Sequence, residues 1–186
     1  DETWVWDGTW SELPSATRPP MSSEHALAYD AARDEVVLFV GGRSRAETWV
    51  FDGTDWILRS PTRLPDPRSA FAFTYDAARA RVVLFGGSAV SGFDDTWEWD
   101  GFDWALRTPA TNPPAGGAAM TYDSARAVCV AATLANQTWE WDGTDWRQRT
   151  TIPVASTASV QTMTYDAARG CAVLVRWPLG STSLET

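Results

Sequence analysis

The sequence predicts an all-β chain made of one four-stranded antiparallel unit repeated four times. Two observations carry that prediction. The stretch Thr96-Trp97-Glu98-Trp99-Asp100-Gly101 recurs as Thr3-Trp4-Val5-Trp6-Asp7-Gly8, Thr48-Trp49-Val50-Phe51-Asp52-Gly53 and Thr138-Trp139-Glu140-Trp141-Asp142-Gly143. The first Trp of each copy stands at 4, 49, 97 and 139, spacings of 45, 48 and 42 residues, and a period of that size marks a repeated supersecondary unit. The second observation is a Tyr-Asp turn at Tyr29-Asp30, Tyr75-Asp76, Tyr122-Asp123 and Tyr165-Asp166, each followed three residues after the Asp by an Arg.

The first strand of each unit is the run that ends in Tyr-Asp: His25 to Asp30, Phe71 to Asp76, Ala118 to Asp123 and Gln161 to Asp166. Asp at the head of a tight turn accepts hydrogen bonds from amides two residues on, and the Arg can reach back to it. The second strand is a continuous apolar run, Val36 to Val40, Val82 to Phe85, Val128 to Ala132 and Ala172 to Val175. A run without alternation is buried on both faces. It closes on Gly41-Gly42 and Gly86-Gly87 in two copies, but on Thr133-Leu134 and Arg176-Trp177 in the others. The Trp motif is the third strand. Its Asp-Gly forms a hairpin turn, and the fourth strand begins at Trp10, Trp56, Trp104 or Trp146.

Side-chain parity says how the units stack. Phe71, Phe73 and Tyr75 share one face of a first strand, while Ala72 and Thr74 share the other. The same split separates His25, Leu27 and Tyr29 from Ala26 and Ala28. A bulky face opposite a small one lets each sheet press into the next, and sheets packed face to face around an axis make a β-propeller. The chain starts in a third strand and stops where the next motif Trp is due, an integral four repeats. One propeller domain over 1–186 is therefore expected, with four blades: 25–60, 71–108, 118–150 and a composite blade from 161–186 plus 1–13. Two half-blades pairing in this way leave no open edge. An open segment of a larger ring, or two chains completing an eight-bladed one, is the rival arrangement.

These residues resemble the kelch repeat family, and bacterial kelch-like repeat proteins in particular. The resemblance spans essentially the whole chain. It rests on the apolar strand ending in Gly-Gly, the aromatic third strand, the Trp opening the fourth, and Pro67-Arg68-Ser69 as the entry to an innermost strand. The lost Gly-Gly pairs and the replacement of the entry Arg by Ser22 in the preceding copy depart from the pattern. The resemblance implies a non-catalytic protein-interaction or surface-binding module. A carbohydrate-binding, lectin-like propeller is the alternative, and a glycosidase or other propeller enzyme comes third.

Composition narrows the partners. The net charge is −9 and the chain has no Lys, so its field repels phosphate backbones and nucleic acid is not an expected partner. No apolar run approaches the ~20 residues needed to cross a bilayer as a helix. The chain opens inside a repeat without an initiator Met, which is read as a processed export product or a piece of a longer chain, at an extracellular or cell-surface location. Cys129 and Cys171 are expected as small buried strand residues; a disulfide between neighbouring blades is the other reading. Homo-oligomerisation stays open.

No catalytic constellation emerges, and no metal or cofactor is implied. His25 is the only histidine, so the paired-His copper site of kelch-like oxidases cannot be built. It is expected to line the core or channel. Glu98 and Glu140 lie in different repeats, where solvated or Arg-paired side chains are expected, and Asp94-Asp95 is a weak Ca²⁺ signal. The four tyrosines all belong to the turn motif.

Alternating strand direction puts the tight turns on one end of the disc. The variable loops, 43–47, 88–95 and 176–185 together with 14–24, 61–70, 109–117 and 151–160, fall on the other. Recognition usually sits on loops that vary over a rigid scaffold. Arg43, Arg45, Arg63, Arg68, Arg176 and Trp177 belong to these loops. They are the candidate contacts, on a locally basic face that would take an acidic or sugar-bearing partner, either a protein or a glycan.

Overall fold

The computed structural model describes residues 2–42, 44–153 and 158–178, without the side chains of 158–161, 177 and 178. Among the described residues it contains sixteen strands and no helix. The pair β1 (Thr3–Trp6) and β2 (Trp10–Leu13) forms a two-stranded sheet. Three four-stranded antiparallel sheets follow. The first holds β3 (His25–Asp30), β4 (Glu35–Val40), β5 (Glu47–Phe51) and β6 (Trp56–Arg59) in sequence order. The second holds β7 (Ala72–Asp76), β8 (Arg81–Phe85), β9 (Thr96–Trp99) and β10 (Trp104–Arg107), and the third β11 (Ala118–Asp123), β12 (Val128–Thr133), β13 (Gln137–Trp141) and β14 (Trp146–Thr151). The last pair is β15 (Ala158–Asp166) and β16 (Cys171–Pro178).

Each sheet is a meander because its turns are short and chemically fixed. In the first turn Ala32 N–H donates to Asp30 Oδ1 at 3.1 Å and Arg33 Nη1 to Asp30 Oδ2 at 2.6 Å. Asp76, Asp123 and Asp166 bind Arg79, Arg126 and Arg169 in the same way. In the second turn Thr54 N–H and Asp55 N–H both donate to Asp52 Oδ1, with Gly53 at φ 94°. Both motifs therefore act as the sequence predicts.

The sheets stack by the predicted parity. Val37, Phe39 and Val50 on one side of the first full sheet meet Val82, Leu84, Trp99 and Trp104 of the second. Val83 and Phe85 on the far side of the second meet Cys129, Ala131, Trp141 and Trp146 of the third. Each buried Trp removes roughly 150–250 Å² from water. At about 25 cal/mol per Å² that is roughly 4–6 kcal/mol gross per ring. The indole N–H must still find an acceptor, and the Thr that opens the motif of the neighbouring sheet supplies it. Trp104 Nε1 donates to Thr48 Oγ1 and Trp146 Nε1 to Thr96 Oγ1, each at 2.8 Å. Trp56 Nε1 donates to Thr3 Oγ1 at 2.8 Å, which seats β1–β2 against the first full sheet.

Two further contacts recur between full sheets. Ala32 N–H donates to the Tyr75 hydroxyl at 3.1 Å and Ala78 N–H to the Tyr122 hydroxyl at 3.0 Å. Arg33 lies over Gly101 and Arg79 over Gly143, where an added Cβ would stand 2.0 and 2.1 Å from the guanidinium Nε. Those two glycines are thus required twice, for a positive φ and for the Arg above them. The first strands β3, β7, β11 and β15 follow one another side by side, and all four line one cavity of about 400 Å³.

The ends differ from the three full sheets. Among the described residues β1–β2 and β15–β16 are two-stranded ladders, each without the two further strands of a full sheet. Leu27 and Tyr29 on β3 and Val173 and Val175 on β16 are correspondingly exposed. The Tyr29 hydroxyl donates within its own turn to Asp34 Oδ1, at 2.6 Å. The cysteines also differ from the reading of two buried residues. Cys129 is buried and Cys171 exposed, both are free, and burial pushes the Cys129 thiol well up.

Candidate functional site

The loops that join second to third strands and sheet to sheet are knitted together at one end of the molecule. Gly41 N–H donates to Glu24 O at 2.7 Å and Gly42 N–H to Arg68 O at 2.9 Å. Ser69 and Ser88 exchange a pair of backbone bonds, and Gly87 N–H donates to Gly116 O at 2.9 Å. Gly116 N–H in turn donates to Phe93 O. Successive loops therefore hold one another through backbone groups, and the result is a fixed surface on which side chains are displayed.

Arg68 is the anchor of that surface. Its guanidinium is fully buried, paired with Asp95 through Nη1 at 2.5 Å and Nη2 at 2.9 Å. It also donates to Gly86 O and Asp66 O and stacks 4.0 Å above the Phe93 ring. A cation held on five sides cannot meet a partner, so Arg68 is a structural residue and not a contact. Asp95 is taken by Arg68 and by Trp97 Nε1 at 2.7 Å, which accounts for one half of the Asp94-Asp95 pair. Among the described residues no cluster of His, Cys, Asp and Glu could hold a metal ion.

The other described candidates, Arg45, Arg63 and Arg176, have three different settings. Arg45 is exposed on the loop surface beside Glu47, at 3.4 Å. Arg63 is exposed elsewhere: its backbone N–H donates to Asp103 Oδ1 at 3.0 Å, in the tight turn ahead of β10. That bond holds it beside the tight turns. Arg176 is half-buried, with Nη2 bonded to Asn136 Oδ1. Arg43 and the Trp177 side chain lie outside the described residues. Exposed apolar side chains are more prominent on this end, with Met21 and Val90 almost fully accessible. Met21 stands with Gly42, Ser44 and Arg45 around a shallow cavity of about 340 Å³.

Carboxylates that could do acid–base work are already engaged. Glu98 is buried, bonded to Arg107 Nε at 2.7 Å and to Trp141 Nε1 at 2.9 Å. Glu140 is buried between Arg126 Nη1 at 2.5 Å and Arg149 Nε at 2.6 Å. Both are Arg-paired as expected, and neither is solvated. His25 lines the inner cavity with Phe73, Met120 and Met163 and donates from Nδ1 to Ser22 O at 2.9 Å.

Two roles were not read from the sequence. The motif Thr is the acceptor for the next sheet's fourth-strand Trp, a pairing signalled by their joint presence in every copy. Asp55, Asp103 and Asp145 receive the incoming connection, through the N–H of Thr17, Arg63 and Thr111 at 2.9–3.1 Å. The bond from Arg63 holds the Asp103 carboxyl below its usual range. The first copy is one residue shorter there, Asp7-Gly8-Thr9-Trp10, and has no such Asp. Compared with protein-family models and with curated proteins, the chain matches none.

Proposed function

We propose that the chain is a kelch-like four-bladed β-propeller in which β15–β16 and β1–β2 share one blade. It acts as a non-catalytic module that binds a partner protein on its loop-bearing end. The ring reading is supported by the common cavity: β3 and β15, the first and last innermost strands, face the same space of about 400 Å³. A ring of eight blades would hold those strands much farther apart. The bare faces at the two ends also match, since Val173 and Val175 of β16 stand at the positions of Val37 and Phe39, which face the following sheet, and the exposed Leu27 and Tyr29 of β3 are the face such a sheet would present.

The observation that carries the binding reading is the knitted loop surface with Met21, Val90 and Arg45 displayed on it. Ordering such loops in advance removes an entropic cost that a partner would otherwise bear. Apolar side chains on a fixed polar surface are the usual core of a protein contact. The test is capture of a partner from the native source by the immobilised protein. Met21→Glu with Val90→Arg is expected to lower capture at least about tenfold. Phe102→Arg, on an exposed tight turn at the opposite end, is expected to leave it unchanged. The reverse pattern would place the binding face at the tight turns.

A further inference from the structure

Three tryptophans of β1–β2 stand out from the rest. Trp6 and Trp10 are 59 and 64 % exposed, while Trp99 and Trp141, which match Trp6, and Trp104 and Trp146, which match Trp10, are 0–1 % exposed; Trp4 is 50 % exposed against 7 and 6 % for Trp49 and Trp139. The repeat states what covers the buried ones. The middle residue of one third strand faces the last residue of the third strand in the next sheet. Glu98 Oε1 accepts from Trp141 Nε1 at 2.9 Å by this rule. One sheet earlier the facing pair is Val50 and Trp99, and Trp99 Nε1 is buried without a partner. Continued one sheet later, the rule sets Glu140 against Trp6. Continued once more, it sets Val5 against Phe51, apolar against apolar.

We propose that the exposed face of β1–β2 is a docking surface for the β13–β14 face of the same chain, with Trp6 Nε1 donating to the Glu140 carboxylate. This rests on the ring reading above and specifies its closing contact. Arg126 marks the vacancy. Arg33 and Arg79 reach across to the next sheet, Arg79 Nη1 donating to Ala127 O at 3.0 Å, and lie over Gly101 and Gly143. Arg126 instead folds back onto its own sheet and takes Glu140 Oε1, the oxygen that matches the one Trp141 holds on Glu98. Gly8, the glycine due beneath Arg126, has open space above it. Docking returns Arg126 to Gly8 and Glu140 to the indole.

Charge and shape agree across this contact. Arg147 and Arg149 are exposed around Glu140, and Glu12 stands opposite Trp4 on β2. An aromatic face carrying a carboxylate thus meets guanidinium groups, which favour both. The occupant is the same chain because β3 and β15 already share one cavity.

The experiment reads the indole N–H signals of ¹⁵N-Trp-labelled protein, with Trp6 assigned by its loss in Trp6→Phe. The expected result is a Trp6 signal whose solvent exchange is slowed at least about a hundredfold against a free indole. Glu140→Val shifts it and returns it to fast exchange, while Glu140→Gln, which keeps an acceptor, leaves it protected. A protected Trp6 that is indifferent to Glu140→Val overturns this contact and leaves the ring standing. A Trp6 that exchanges like free indole overturns the ring as well. Protection that is lost on dilution, together with a dimeric sedimentation coefficient, assigns the docking to a second copy and overturns the same-chain assignment.

Discussion

The interfaces between the three full sheets and the faces left at the two ends are built from the same motif, yet they differ in every contact. Between full sheets each fourth-strand Trp is buried and bonded to a Thr, each turn Tyr accepts a neighbour's amide, and Arg33 and Arg79 cover glycines. At the ends Trp10 is exposed, Tyr29 is bonded within its own turn, and Gly8 and Gly53 have nothing above them. The difference teaches that the Thr, Trp and Gly of the motif serve the neighbouring sheet as well as their own. The motif is half of a contact whose other half lies about one repeat away, as in any nearest-neighbour stack.

The largest expected effect is at a completed interface. Trp146→Ala removes a buried ring and a buried hydrogen bond, at about 3–5 kcal/mol. For a chain of this size that is a fall in Tm of roughly 6–20 °C by thermal unfolding. Trp10→Ala sharpens the comparison: a loss close to that of Trp146→Ala means the end face is covered in solution, and no loss means it is bare. Arg68→Ala ranks next, since Asp95 then loses its partner beside buried loops, and about 3–5 kcal/mol is expected against less than about 0.5 kcal/mol for Arg45→Ala.

Much of this was legible in the sequence, and the reasons are specific. The four Tyr-Asp turns and the Asp-Gly hairpins are local chemistry, closed within a few residues, so their residues announce them. Side-chain parity gave the stacking because a strand has only two faces. The settings of the loop arginines were less legible. Arg68 and Arg45 are both Arg on variable loops, and only Asp95, 27 residues on, decides that one is buried and the other displayed. Arg63 was assigned to the loop end by strand direction alone, whereas its connection is tied to Asp103, 40 residues on. Long-range partners of a single side chain leave no periodic trace.

A smaller effect separates two tryptophans that look alike in sequence. Trp141→Phe loses a bond to Glu98 and leaves that carboxylate short of a donor, so about 1–3 kcal/mol is expected. Trp99→Phe removes an N–H that has no acceptor, because Val50 stands where Glu would be, so it carries the cost of the smaller ring alone and should lose less than Trp141→Phe. Equal losses in chemical denaturation would contradict the facing rule.

The smallest effect is on the acid side. Thr54 and the turn amides hold the Asp52 carboxyl down to about 2, and the bond from Arg169 holds Asp166 below the usual carboxylate range. A depressed folded value means stability that is complete above the unfolded value near 4 and is lost as pH falls toward 2. Tm is therefore expected to be flat from pH 7 to about 5 and to fall below pH 4. Asp52→Asn should flatten that fall slightly.

The central claim, that the two ends of the chain form one sheet, is tested most directly by a cysteine pair. The ladders place Val37 opposite Val50, Val83 opposite Glu98 and Val130 opposite Glu140, and the same register sets Val173 opposite Val5. Val5→Cys with Val173→Cys, in a Cys171→Ser background, is predicted to oxidise to a cross-linked monomer that migrates faster on non-reducing electrophoresis. Both introduced thiols left free beside Cys129 under the same oxidation, or a ladder of cross-linked oligomers, would contradict it.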